Sequence, residues 1–178
     1  MIAQARFVRA GALCLAMATG FGLVACNGTV GSEGPSSANP LDDEENALVY
    51  ELNQVRAAAG ITTPIVVCAS LDVSAAGHSD DMRDKMYFSD QAPDGSDVRK
   101  RACTAGYKPG CNPHEPMSEL IAKGIDTGKG AITQMDAMSH AVLVATNMLV
   151  AGTGRTLALD GTTYWTLDLA DKDDPSCH

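Results

Sequence analysis

An uncharged apolar run from Ala10 to Ala25 opens the chain behind Arg6 and Arg9, and it stops at Cys26. The run is short and broken by glycines, which fits an export signal better than a membrane span. Its end, Leu23-Val24-Ala25-Cys26, resembles the lipobox of bacterial lipoproteins, in which the cysteine becomes a lipidated N-terminus. Residues 1–25 are therefore expected to be a lipoprotein signal peptide, with Cys26 holding the mature protein to a membrane through lipid alone. Asn27 points to outer-membrane sorting if the host has two membranes. Residues 26–43, rich in Gly, Ser, Pro and acid, cannot bury enough apolar surface to offset ordering and are expected to be a flexible tether. Only residues 44–178 remain to fold, enough for one domain with one core.

Removing the signal takes the net charge from −9 to −11, because it carries Arg6 and Arg9 and no acid. Such an acidic chain is a poor partner for nucleic acid or anionic lipid. The runs "DDEE" and "DKDD" are expected to be solvated termini. Of the six cysteines, Cys14 leaves with the signal and Cys26 takes lipid. Cys68, Cys103, Cys111 and Cys177 stay in the exported domain, where four cysteines imply two disulfides and three possible connectivities. Cys103 and Cys111 bracket the turn-rich "TAGYKPG", which favours a local bridge and leaves Cys68 with Cys177. A zinc site is the rival reading, but no Cys-x-x-Cys or paired Cys/His spacing supports it.

"LDDEENALVYELNQVRAAAG" places acids at its start, apolar Leu48, Leu52 and Val55 at helical spacing, and Gly60 at its end, which predicts a capped amphipathic helix. "ITTPIVVC" is an extended connection. A second helix is expected from Ser70, as N-cap, to near Phe88, followed by a turn in "SDQAPDGSD". "VRKRACTAGY" predicts a short helix, "MSELIAKG" a strand, and "GAITQMDAMSHAVLV" a further helix. "MLVAGTGRTLALDGTTYWTLDLA" alternates around Asp160-Gly161, a strong hairpin signal. The fold class is α+β, with helices packed on an antiparallel sheet.

"ELNQVRAAAGI", "AAGHSDDMRDKMYFSDQAPDGS", "SELIA", "SHAVLV" and "TYWTLDLA" follow one another as in the bacterial CAP superfamily, which the chain resembles over roughly residues 45–170. This is the group of cysteine-rich secretory, antigen 5 and pathogenesis-related 1 proteins, also called SCP domains. The resemblance implies an α-β-α sandwich with a cleft lined in many members by two histidines and two glutamates. By position, Asp90 of "FSD" stands where the family has its first cleft histidine. Glu119 of "SELI" stands for the first glutamate and His140 of "MSHAV" for the second histidine, while the second glutamate has no counterpart. His78 is expected to be a hydrogen-bonded histidine beneath the cleft.

Asp90, Glu119 and His140 have the donor types for a divalent metal such as zinc, although no cofactor is required by the sequence. As a turn residue, Asp90 could equally cap its own loop. Asn53 and Arg56 read as helix-anchoring contacts, Tyr164 and Trp165 as core, and His114, Glu115 and His178 as exposed or terminal. Three functions follow. One is a non-enzymatic binding module for a lipid, cell-wall or protein ligand. A second is a metal-assisted hydrolase using Asp90, Glu119 and His140, and a third is a purely structural envelope protein. No HExxH or GxSxG motif supports the hydrolase, and Ser79 and Ser139, each adjacent to a histidine, would diverge from it by about 100° on a helix.

Overall fold

A computed structural model describes residues 41–178. The expected signal, tether and Cys26 lie outside the described residues. Eight elements follow in order: α1 (Asp43–Ala58), β1 (Val66–Val67), α2 (Ala69–Asp84), α3 (Val98–Ala105), β2 (Met117–Lys123), α4 (Gly128–Leu143), β3 (Val150–Leu157) and β4 (Thr163–Ala170). The strands form one sheet in the order β1-β3-β4-β2. Among the described residues no helix is long and apolar enough to cross a membrane.

β4 lies between β3 and β2, and all eight of its residues are buried. Side chains alternate across a strand, so this one strand serves two layers. Trp165, Leu167 and Leu169 point into an apolar core that includes Leu48 and Leu52 of α1 and Ile132 and Met135 of α4. Each such side chain contributes roughly 1.5–3 kcal/mol on burial. Tyr164 packs on the other face with Met82 of α2, and Thr166 meets Ser79 of α2. The expected α-β-α sandwich is thus present, with its C-terminal hairpin.

The sheet is not wholly antiparallel, which corrects the expectation. β1 runs parallel to β3, pairing Val66 with Val150 and Val67 with Ala151. The connection expected to be merely extended finds ladder partners there, donating from Val66 N to Leu149 O and from Cys68 N to Ala151 O. α2 also starts differently. Its N-cap is Cys68, without a side-chain cap, and Ser70 lies inside the helix with Oγ 2.6 Å from Ser176 Oγ. It ends at Asp84 rather than near Phe88, and Met86 then turns the chain at φ +55°.

α1 has the capping box its sequence encodes: Asp42 accepts from Glu44 N and Glu45 N while Glu45 reaches back to Asp42 N. The "DDEE" run is therefore not simply solvated, since Asp42 and Glu45 also bind Arg155 on β3. At the other end of α1, buried Arg56 donates to the carbonyls of Leu143, the last residue of α4, and of Ala145 and Met148 beyond it. His178, at the terminus, is tied by its backbone N–H to Val67 O.

α2 approaches β3 closely because Gly152 and Gly154 face it. A Cβ on either would lie 2.1 Å from α2 backbone atoms. Both expected disulfides are formed, Cys68–Cys177 and Cys103–Cys111.

Candidate functional site

Where the 89–97 loop, the start of β2 and the end of α4 meet, a cleft of about 500 Å³ opens. Its polar wall includes Asp90, Asp97, Ser118, Glu119 and Ser139; Met117 and Val142 supply apolar surface.

Glu119 is placed by the register of β2 on β4, directly opposite Asp168. Its side chain is only 2 % exposed, and Oε2 accepts from Arg101 Nη2 at 2.6 Å. Oε1 has no hydrogen-bond partner, although His78 Nε2 lies 3.4 Å away. That histidine is spent elsewhere: its Nε2–H donates to Ser89 O at 3.0 Å. Its Nδ1 lies 3.3 Å from the Tyr87 hydroxyl, whose hydrogen goes to Asp81 Oδ2 at 2.7 Å. Burial, and then the charge of Arg101, push the His78 pKa down to about 4. His78 is therefore neutral at pH 7, and its contact with Glu119 is not an ion pair. His78 is hydrogen-bonded and lies against Glu119 rather than in the cleft lining.

Asp168 is fully buried, and neither of its carboxylate oxygens has a hydrogen-bond partner. Burial pushes both carboxyls above their ordinary range; for Glu119 the charge of Asp168 adds to this and Arg101 opposes it. Two buried carboxyls beside one guanidinium carry least net charge when a single proton is held between them.

Asp90 is exposed. Its Oδ1 accepts from Gln91 N at 2.9 Å, and its carbonyl accepts from Arg101 Nη2 at 2.9 Å. It is both a turn cap and a residue of the cleft rim. His140 does not join it. Helical geometry is interrupted at Ser139 (φ −155°, ψ 67°), and Ser139 is the residue that lines the cleft. His140, 59 % exposed in its side chain, is held by Asp136 Oδ1 at 2.5 Å.

The proposed metal set of Asp90, Glu119 and His140 therefore does not converge. Among the described residues no three His, Cys, Asp or Glu side chains are placed to hold a metal. Ser79 is buried and donates to Gly154 O, which removes it as a nucleophile.

Two members of the site escaped the sequence. Arg101 looked like one more cation in the "VRKR" run, yet it ties Glu119, Asp90 O and Ser96 O together. Asp168 left a usable signal, being a charge at a core-facing position in the otherwise buried strand "TYWTLDLA".

The family model of the cysteine-rich secretory protein family (CAP) matches residues 49–149. In fold the chain is similar to an outer surface protein from Borrelia burgdorferi, with 14 % identity and a TM-score of 0.62 over 75 % of this chain and 97 % of that one. It is also similar to an extracellular protein containing an SCP domain from Bacillus anthracis, with 21 % identity and a TM-score of 0.52 over 75 % of this chain and 45 % of that one. At these identities the likeness is one of fold. No curated protein matches the sequence at a significant level.

Proposed function

The chain belongs to the cysteine-rich secretory protein family, and on that premise we propose that it is an exported, non-enzymatic binding module. In this reading a lipid on Cys26 holds it at the cell envelope, on the outer membrane if there are two. Its cleft takes a cell-wall, protein or lipid ligand, and nucleic acid is not a partner.

The observation that carries the reading is the state of Glu119 and His78. General acid–base catalysis needs a group that can give and take a proton at the reacting atoms. His78 is buried, neutral and committed to Ser89 O. Glu119 is buried behind Arg101 and against Asp168. Neither is free to cycle a proton with a substrate. Binding asks less. Asp90 and Asp97 offer acceptors beside the Ser118 and Ser139 hydroxyls, with Met117 and Val142 as apolar wall. Such a surface suits a ligand that presents hydroxyl or ammonium donors over a small apolar face.

The test is calorimetry of the full-length, detergent-solubilised protein with soluble cell-wall muropeptides, beside an Asp90→Asn/Asp97→Asn double variant. Asparagine keeps both turn and cap hydrogen bonds while removing charge. Saturable binding that the double variant weakens about tenfold supports the reading. A parent that binds nothing but turns over an ester or peptide substrate overturns it. Anchoring is tested separately by the mass of the N-terminal peptide, which should start at an acylated Cys26. Metal-assisted hydrolysis is the weaker alternative: Asp90 and Glu119 share a wall, but His140 is turned to Asp136.

A further inference from the structure

We propose a second ligand site, separate from the cleft: an open cavity between α2 and α3 that takes a compact apolar molecule bearing one carboxylate. The cavity measures about 510 Å³, inside the roughly 300–1,000 Å³ range of small-molecule sites. None of its lining residues lines the cleft; Arg101, which lines the cavity, touches the cleft only through its ion pair with Glu119 and its hydrogen bond to Asp90 O, and the site does not depend on what the cleft binds.

Its apolar wall comes from Val73 of α2, Ala105 of α3 and Ala92 of the loop between them. Gly77 completes it. A glycine inside a helix is less favourable than alanine, so its presence asks for a packing reason. Gly152 and Gly154 have one, because α2 backbone presses on them. Gly77 has none: a Cβ there would meet no atom within 4 Å. Gly77 is exposed, and without a side chain it leaves the cavity wall open at this point.

The charge around the cavity is unevenly spent. Asp81 is paired with Lys85 at 2.5 Å and accepts from Tyr87. Asp94 accepts from both the backbone and the hydroxyl of Ser96. Lys100, by contrast, has no carboxylate at ion-pair distance among the described residues. Arg101 commits Nη1 and Nη2 to Ser96 O, Asp90 O and Glu119, but its Nε has no partner. A wall of small apolar groups next to a free ammonium is complementary to an apolar body with an anionic acceptor.

The probes are 4-phenylbutyrate and its uncharged counterpart 4-phenylbutanol, titrated by calorimetry into the full-length protein and its Gly77→Leu variant. Phenylbutyrate should bind with one-to-one stoichiometry and phenylbutanol at least about tenfold more weakly. Gly77→Leu, whose added Cβ meets no atom within 4 Å and whose branched end adds bulk to the cavity wall, should lose at least about tenfold in affinity while unfolding no earlier than the parent. Should Gly77→Leu fail to fold, Gly77→Met, whose unbranched chain can lie along the wall, carries the same test. Any of three results overturns the proposal: no saturable binding by the parent, equal binding of the acid and the alcohol, or affinity unchanged by the added bulk. Muropeptide binding at the cleft should be unaffected by Gly77→Leu, so failure here and failure of the cleft reading are told apart.

Discussion

Asp72 lies in the polar layer under α2, nearly buried, with Oδ1 accepting from Thr153 N at 2.9 Å. Burial pushes its pKa up from 3.8 to about 7; the charges of Glu45 and Asp168 add to this, and the Thr153 hydrogen bond opposes it. The unfolded chain gives up this proton near pH 4, whereas the folded protein keeps it until about 7. Between those values the folded state binds more protons, so this group's contribution to stability falls as pH rises. Three pH units at about 1.4 kcal/mol each set an upper figure of ~4 kcal/mol, and relaxation of the site leaves about 2–4 kcal/mol. His78 acts with the opposite sign. Its folded pKa of about 4 lies below its ordinary 6.5, so its contribution rises across that window. The parent's own pH curve therefore mixes the two. Asp72→Asn isolates one of them, because asparagine keeps the acceptor for Thr153 N and cannot ionise. Urea unfolding of parent and variant at about pH 4.5 and pH 7.5 gives a difference of differences in which His78 cancels. Relative to the parent, the variant should gain about 2–4 kcal/mol on going to the higher pH. A gap that stays constant, or that moves the other way, refutes a buried and protonated Asp72.

Arg56→Met removes the donors to the carbonyls of Leu143, Ala145 and Met148 and should cost about 3–5 kcal/mol, read as a lower urea midpoint. Gly154→Ala would set a Cβ 2.1 Å from Ala76 N; the protein should lose cooperative thermal unfolding, while Gly77→Ala, with open space, should not. Replacing the Cys68–Cys177 pair by serines opens a link with a sequence separation of 109 and should cost roughly 4–5 kcal/mol. The Cys103–Cys111 pair, separated by 8, should cost only roughly 2–3 kcal/mol in the same assay. Zinc calorimetry on the full chain should find no stoichiometric site that His140→Ala and Glu119→Ala both abolish; finding one would restore metal-assisted hydrolysis.

Local chemistry made much of the fold legible. Asp42 and Glu45 state the start of α1 in a four-residue box, and Asp160-Gly161 marks the turn between β3 and β4, with Gly161 at φ +85°. Cys103 and Cys111 could be paired because they bracket a turn-rich segment that brings them back together. The failures share a cause as well. β1 is two residues long and exists only because β3, more than eighty residues later, lies alongside it. Ser70 had the composition of an N-cap, but the Cys68 disulfide and the Cys68–Cys177 bridge fix the start of α2 instead. In the site, the family resemblance implied one cleft for Asp90, Glu119 and His140, and Asp90 and Glu119 line one wall. The resemblance could not foresee the interruption of α4 at Ser139, and hence the outward His140. Arg101 was hidden because a basic run on a short helix is ordinarily a solvated face; only the register of β2 on β4 brings Glu119 within its reach.

The two faces of the sheet solve different problems. Toward α1 and α4 it buries Trp165, Leu167 and Leu169 against leucines and methionines, and that layer holds chiefly by apolar burial, with buried Arg56 tying α1 to the end of α4. Toward α2 and α3 it buries Asp72, His78, Glu119 and Asp168. Each of these groups loses hydration on folding and recovers it only in part through hydrogen bonds or a shared proton. A layer so constituted contributes little net stability, yet it is the layer that builds the cleft wall and the cavity beside α3. The covalent links fall on this side. Cys68 starts α2, Cys103 lies in α3, and the small cluster of Leu71, Ala102, Tyr107 and Val150 packs around the Cys68 end. Cross-links act on the unfolded chain and add stability without requiring apolar surface. They let the α2–α3 face keep buried charge and open space that its own packing would not sustain.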